Sequence, residues 1–503
     1  VRMLPTRYLD PRPARVKEQA SQIAHLTAPL SGLNLETKLT VGDPLTAQIL
    51  SNWVVENDRI ACRAGYKFTT LLTGGAPVET MMGWYGGTAQ VLAALGGSVR
   101  NAITGTALHT GFGGNDWSST SFANLGDNTY TVMVNGHDGV WSYNGTALTK
   151  ETVTAVDTWI VPDQFAITLV HMNRLWFADS TNLAVYYLPL QVKAGAVKYI
   201  PLNALFKRGG SIRAMATWTV DGGTGLDDQL VIFSSNGECA IYNGTDPDSD
   251  FALTGVFRFD SPMSKHATVN YGGDLYVLIS TGVVPMSTLI RAESEQLGKV
   301  DKSVLTLFRE AAILRRGQPG WQLTMNPSSG RLIANVPLGG GQYLQPVRNM
   351  PKPVWMTWEK IPARSWVWVG DSLYFGDDSG HIYEMHPRYQ SDLGPGYNNP
   401  ILVDVQMAWS QYKTPGIKHF KMVRPYLLTD GDPRPQLDMK VDYDSSVPLN
   451  TPDISFAQPG ATWDVSDWDA DYWAIGGERA VSFWQGVGAL GRVGGPRLRA
   501  QVM

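Results

Sequence analysis

A serine, two histidines and several alternating aspartates are the residues of this 503-residue chain whose types and spacing could do chemistry. Gly370-Asp371-Ser372-Leu373 sets a serine in a turn, and Asp378 to His381 supplies an Asp-x-x-His that could serve as orienter and base for ester hydrolysis. His381-Ile-Tyr-Glu384-Met-His386 places two histidines around a carboxylate, the residue types of a zinc site. Asp246-Pro-Asp248-Ser-Asp250 alternates carboxylates as the start of a calcium loop does. A fourth group, Asp464, Asp467, Asp469 and Asp471, lies among Trp463, Trp468 and Trp473.

Spacing argues against the first three. The serine tetrapeptide is similar to that of the GDSL esterases, in which the Asp-x-x-His lies far downstream, near the C-terminus of an α/β fold. Here it follows Ser372 within the same short stretch, so Gly-Asp-Ser and Asp-Asp-Ser-Gly read as the turns of a hairpin. Zinc motifs of the His-Glu-x-x-His kind need i, i+4 spacing on a helix, whereas positions i and i+5 of a strand face opposite sides. In the calcium-like run, Phe251 stands where the loop needs glycine and Phe257 where it needs glutamate. Cys62 and Cys239 are too far apart in sequence for a metal motif, and the nucleotide-binding and Gly-x-Ser-x-Gly signatures are absent. No catalytic, cofactor or metal residues are therefore expected, and the chain reads as a non-enzyme. The Asp-Trp group remains as a candidate lumen-lining or partner-facing surface, because aromatics among charges often face a partner.

The elements that would hold such residues are short strands. From Ser31 onward apolar runs alternate with Gly, Asn or Asp turns, and one unit recurs: apolar strand, tight turn, aromatic-containing strand. Its cleanest copy is Leu230-Val-Ile-Phe-Ser-Ser-Asn236-Gly237-Glu-Cys-Ala-Ile-Tyr242, where Asn-Gly favours a two-residue hairpin turn. Similar units open at Val91, Val132, Leu175, Leu275, Leu332 and Leu373. Irregular periods of about 40 to 57 residues match propeller blades, each of which needs its neighbours to bury its faces. The expected fold is all-β: a β-propeller of six or seven blades over 76–395, with additional β-rich regions at 31–75 and 396–503. A basic, proline-rich arm at 1–30 precedes them.

One helix interrupts the strands. Val300, Val304, Phe308 and Ala311/Ala312 recur at helical spacing over 301–316, with Asp301 or Ser303 as cap and Gly317 as stop. Arg315 and Arg316 then complement the helix dipole on a solvated face. Beyond 395, Ile401 to Trp409 and Gln436 to Tyr443 read as strands of a separate C-terminal region.

Forty-one basic residues against 45 acidic ones give a net charge of −4, too few cations to grip a duplex through its phosphates. Charged residues make up 17% and aromatics 10%, which suits large permanent interfaces with charge-poor, aromatic cores. No run is apolar enough to span a membrane, and the N-terminus lacks the apolar segment of a signal peptide.

The order of segments resembles the nozzle (tail tube or hub) proteins of short-tailed, podovirus-type bacteriophages over about 28–490. It is carried by Ala28-Pro-Leu-Ser-Gly-Leu-Asn34, Asp43-Pro-Leu-Thr-Ala47, Leu50-Ser-Asn-Trp53, Arg63-Ala-Gly-Tyr66 and Val78-Glu-Thr-Met-Met82. Asp274 to Pro285, Gly320-Trp321 before Arg331 to Pro337, Leu373 to Tyr383, His419 to Pro425 and Trp463 to Trp468 continue it. The resemblance implies a virion protein, synthesised in the host cytoplasm, whose subunits each hold a β-propeller and form a homohexameric ring in the tail. That ring would contact adaptor or head-to-tail connector proteins, dock a fibre or spike, and conduct DNA without reading its sequence during genome ejection. Independently of the resemblance, part of the Asp464 to Asp471 cluster, or other acidic loops, is expected to line such a lumen. Two other readings of the residues are a glycan-active propeller enzyme, such as a depolymerase, and a non-catalytic propeller scaffold.

Overall fold

Val91, Val132, Leu175, Leu230, Leu275, Leu332 and Leu373, which open the seven sequence units, each lie in the second strand of a separate sheet. A computed structural model of the chain describes residues 22–36, 43–126, 128–219, 228–291, 302–413, 415–429, 435–447 and 479–502. The second strands are apolar throughout because both of their faces are covered. In Asp228–Ser234, Leu230 and Ile232 pack towards Ile167 and Trp176 of the preceding sheet, while Val231 and Phe233 pack towards Leu275 and Val277 of the next. In Gln90–Leu95, Val91 and Ala93 likewise face one cluster, and Leu92 and Ala94 another. Each such Val, Leu, Ile or Phe contributes about 1.5–3 kcal/mol on burial.

The chain is a β-propeller. The innermost strands are Thr80–Trp84, Ser118–Ala123, Phe165–His171, Ile212–Thr219, Thr268–Tyr271, Gln322–Asn326 and Ser365–Val369, and they pack in that order round the ring. Six of the sheets they begin are blades; the strands from Gln322 to Trp358 fill the remaining place but belong to a larger, eight-stranded sheet. Strand Tyr66–Leu71 closes the circle by pairing antiparallel with His381–Met385, so an N-terminal strand is the fourth of the last blade and the ring begins ahead of residue 76.

The eight-stranded sheet corrects the expected division at its other end. Ala47–Ser51 pairs with Val354–Trp358 through Ser51 and Thr357 and also with Ile401–Met407, which continues to Gly494–Val502 and Gln436–Val441. The N- and C-terminal β regions are thus one continuation of a propeller sheet, since its last strand keeps an open edge that other strands extend.

The helix forms as Leu305–Arg315 after a short 3-10 turn, Lys302–Val304, with Phe308, Ala311 and Ala312 buried. Its cap differs from expectation. Asp301 lies outside the described residues, Val304 occupies the cap position without a side-chain bond, and the Thr306 N–H donates instead to Glu36 Oε1 at 2.7 Å. Arg316 pairs with Asp260 at 3.2 Å, so its charge joins the helix to the propeller besides facing the dipole.

The Asn236-Gly237 turn is also a correction. The last paired residues are Phe233 and Cys239, Gly237 alone of the pair has a positive φ, and the Asn236 amide donates to the Arg208 carbonyl at 2.8 Å. A wider loop is formed because that side chain is anchored elsewhere. True two-residue turns with both φ positive occur at Gly96-Gly97 and Gly272-Gly273.

Candidate functional site

Because each innermost strand follows an outer one back to the axis, the residues just ahead of these strands meet on one rim of the bore. Polar contacts tie neighbours together there. The Trp117 N–H donates to Thr80 Oγ1 at 2.9 Å, Ser118 Oγ accepts from the Thr168 N–H at 3.1 Å, and Gln322 exchanges bonds with the Trp366 backbone at 2.8 Å each. Ser365 Oγ donates to the Val78 carbonyl at 3.0 Å and so joins the last blade to the first.

One contact crosses the rim. Lys265, ahead of the fifth innermost strand, donates through Nζ to the Asp116 carbonyl at 2.6 Å and the Ala166 carbonyl at 3.3 Å, at the starts of the second and third. Its ammonium also lies 3.2 Å from Asp116 Oδ2, while His266 Nε2 lies 2.9 Å from Asp116 Oδ1. The Asp116 side chain keeps 61% of its surface accessible although protein surrounds it, as expected of a group lining a passage. Enclosure pushes the Asp116 carboxyl up, but the His266 hydrogen bond and the Lys265 charge outweigh it and hold the group well below the ordinary carboxylate range. Burial pushes the Lys265 ammonium down, opposed by Asp116. Burial, with Arg316 nearby, also lowers Arg213, which reaches from the fourth innermost strand to the Pro262 and Met263 carbonyls. These groups form an ion-paired strut across the axis that fixes the relative positions of four sheets.

The residues singled out by sequence do not assemble into reactive groups. Ser372 pairs with Val369 at one end of its ladder and donates to Glu384 Oε1 at 2.6 Å, whereas His381 sits at the other end, beside Asp377. Asp377, and not Asp378, partners His381: Oδ2 lies 2.8 Å from Nδ1, and Oδ1 accepts from the Ser379 and His381 N–H groups at 2.8 Å. Asp378 binds Arg364 at 2.6 Å. His386 Nδ1 accepts from the Arg388 N–H at 3.1 Å, apart from His381. In the Asp246 loop, Asp246 binds Arg174 at 3.0 Å, Asp248 binds Lys198 at 2.6 Å and Tyr187 at 2.9 Å, and Asp250 takes the Asp246 N–H at 2.6 Å. Each carboxylate is turned to its own partners, and no group of three His, Cys, Asp or Glu among the described residues is arranged to hold a metal. Cys62 and Cys239 are free, and burial pushes the Cys62 thiol up to about 12.

Asp464, Asp467, Asp469, Asp471, Trp463, Trp468 and Trp473 lie outside the described residues. No helix among the described residues is long and apolar enough to cross a membrane. Sequence reasoning missed the Lys265–Asp116 strut, since the two are 149 residues apart and carry no motif. It also missed a two-stranded ribbon in the C-terminal region. There Lys418–Val423 pairs with Gln485–Gly491 and Tyr426–Thr429 with Arg479–Ser482.

No protein-family model and no curated protein matches the chain. Among solved structures it is similar to the computationally designed Ika8 protein, at 11% identity over 64% of this chain and 99% of that one, with a TM-score of 0.37. It is also similar to the WD40 β-propeller domain of Doa1, at 11% identity over 64% and 96% with a TM-score of 0.39. A third is Chaetomium thermophilum Raptor, at 9% identity over 66% and 30% with a TM-score of 0.41.

Proposed function

We propose that the chain is a structural virion protein: the nozzle subunit of a short phage tail, which forms a ring that conducts DNA during ejection. The observation that carries this reading is a propeller tied across its own axis, joined to a projecting apolar ribbon in one chain. A bore crossed by Lys265 cannot admit a duplex whose major groove alone is about 12 Å wide. A conduit built from this chain must therefore be enclosed by several copies, with each propeller serving as a rigid wall segment. The low charge of the chain fits such a wall, because a passage dense in lysine and arginine would hold phosphate through counterion release. Its ordered segments support the same reading. Tyr66 of Arg63-Ala-Gly-Tyr66 packs edge-on against Phe375 and Tyr383 of Leu373 to Tyr383, at 5.2 Å each, beside the strand pairing that closes the ring. The homohexamer, its contacts with adaptor or connector proteins and its fibre or spike dock are parts of this proposal.

Antibody labelling of purified particles, viewed by electron microscopy, tests it. Label confined to the tail is expected; label spread over the capsid, or none on particles, contradicts it.

A further inference from the structure

The ribbon is an exposed surface with a distinct chemistry. At its base Gln485–Gly491 packs on Gln436–Val441, and Phe420 lies against Gly494. Further out, Tyr426–Thr429 and Arg479–Ser482 form a two-stranded sheet of their own among the described residues. Leu490, Met422, Trp484, Tyr426 and Leu428 are all exposed, the last two by 72% and 56%. A two-stranded ribbon is marginal by itself in water, and so many large apolar side chains along one require a cover.

The charge of the ribbon selects that cover. The strands and the links between them, 418–429 and 479–491, contain Lys418, Lys421, Arg424 and Arg479 and no acidic residue. The rest of the chain then holds 37 basic against 45 acidic residues, eight net negative charges. Arg424 is held in place between the rings of Tyr426 and Trp484, at 5.1 and 5.7 Å, and by a 2.7 Å bond to Ser482 Oγ. A basic, apolar ribbon on an otherwise acidic molecule is complementary to another copy of that molecule.

We infer that the ribbon is the arm by which one copy of the chain grips the next, a head-to-tail contact that closes into a ring. The inference rests on the assembly reading above and names its surface. Because ribbon and acceptor are different surfaces, the contact is heterologous, as a cyclic ring of more than two subunits requires.

Two experiments on the full chain test it. In sedimentation, the wild type is expected to associate with rising concentration, and Leu428→Glu and Leu490→Glu are each expected to weaken association by about tenfold or more while circular dichroism stays unchanged. Photo-crosslinking from benzoylphenylalanine at position 426 is expected to yield dimers joined between copies. A wild type that stays monomeric at every concentration, variants that associate as it does, or crosslinks confined to a single copy would overturn the proposal. Associating variants would leave the ring reading standing, and that reading is decided separately by the place of the chain in particles.

Discussion

Arg63 and Asp392, 329 residues apart in sequence, form a buried two-pronged ion pair, with Nη1 2.9 Å from Oδ1 and Nη2 2.7 Å from Oδ2. Arg63 Nε also donates to Asn52 Oδ1 at 2.9 Å, and the Asn52 amide donates to the Leu402 carbonyl at 2.9 Å. One guanidinium thus joins the strand that closes the propeller to the sheet that leaves it. Removing one partner strands a buried charge, so Arg63→Met or Asp392→Leu is expected to destabilise the fold by about 3–5 kcal/mol, while the double variant recovers most of the loss. Denaturant midpoints measure this, and equal losses in single and double variants would contradict it.

The axial strut makes a smaller prediction. Lys265→Met leaves the Asp116 and Ala166 carbonyls without their donor and is expected to lower stability by about 1–3 kcal/mol. Hydrogen exchange of amides at the starts of the second and third innermost strands should rise with it. Unchanged exchange there would show that the strut carries no constraint.

His171 sets an acid limit. It is buried, with Nδ1 3.1 Å from Thr217 Oγ1 and Nε2 without a hydrogen-bond partner among the described residues, and burial pushes its pKa from 6.5 down to about 4. Between those values the unfolded chain binds a proton that the folded one refuses. Stability is therefore fully present above pH 6.5 and falls by about 1.4 kcal/mol per pH unit towards pH 4. His171→Phe, in the aromatic company of Trp176 and Phe251, is expected to flatten that part of the melting profile. A slope unchanged by the substitution would assign it to other groups.

Gly376 marks the seam between the last blade and the first. A Cβ there would come within 2.4 Å of Val78 Cγ1, so Gly376→Ala is expected to cost about 1–3 kcal/mol. Adding Val78→Ala should restore part of it in thermal unfolding. Additive losses would place the strain elsewhere.

The propeller was legible in the sequence because a strand covered on both faces must be apolar at every position. That requirement makes Leu230 to Phe233 and its counterparts stand out at blade intervals. The helix was legible by its period, but its cap was not, since Glu36 reaches Thr306 from 270 residues away. The closing strand Tyr66–Leu71 reads as an ordinary half-buried strand, and nothing local marks its partner as His381–Met385. The same holds for Lys265 and Asp116, which become neighbours only when the ring closes. Asn236-Gly237 misled because local turn preference yielded to the bond between Asn236 and Arg208.

On the proposed virion role, quantitative mass spectrometry of purified virus particles tests the central claim most directly, by the copy number of this chain relative to the major capsid protein. The account predicts about six copies per particle, the content of one cyclic ring. Absence from the particle, or a copy number like that of the capsid protein, would contradict it.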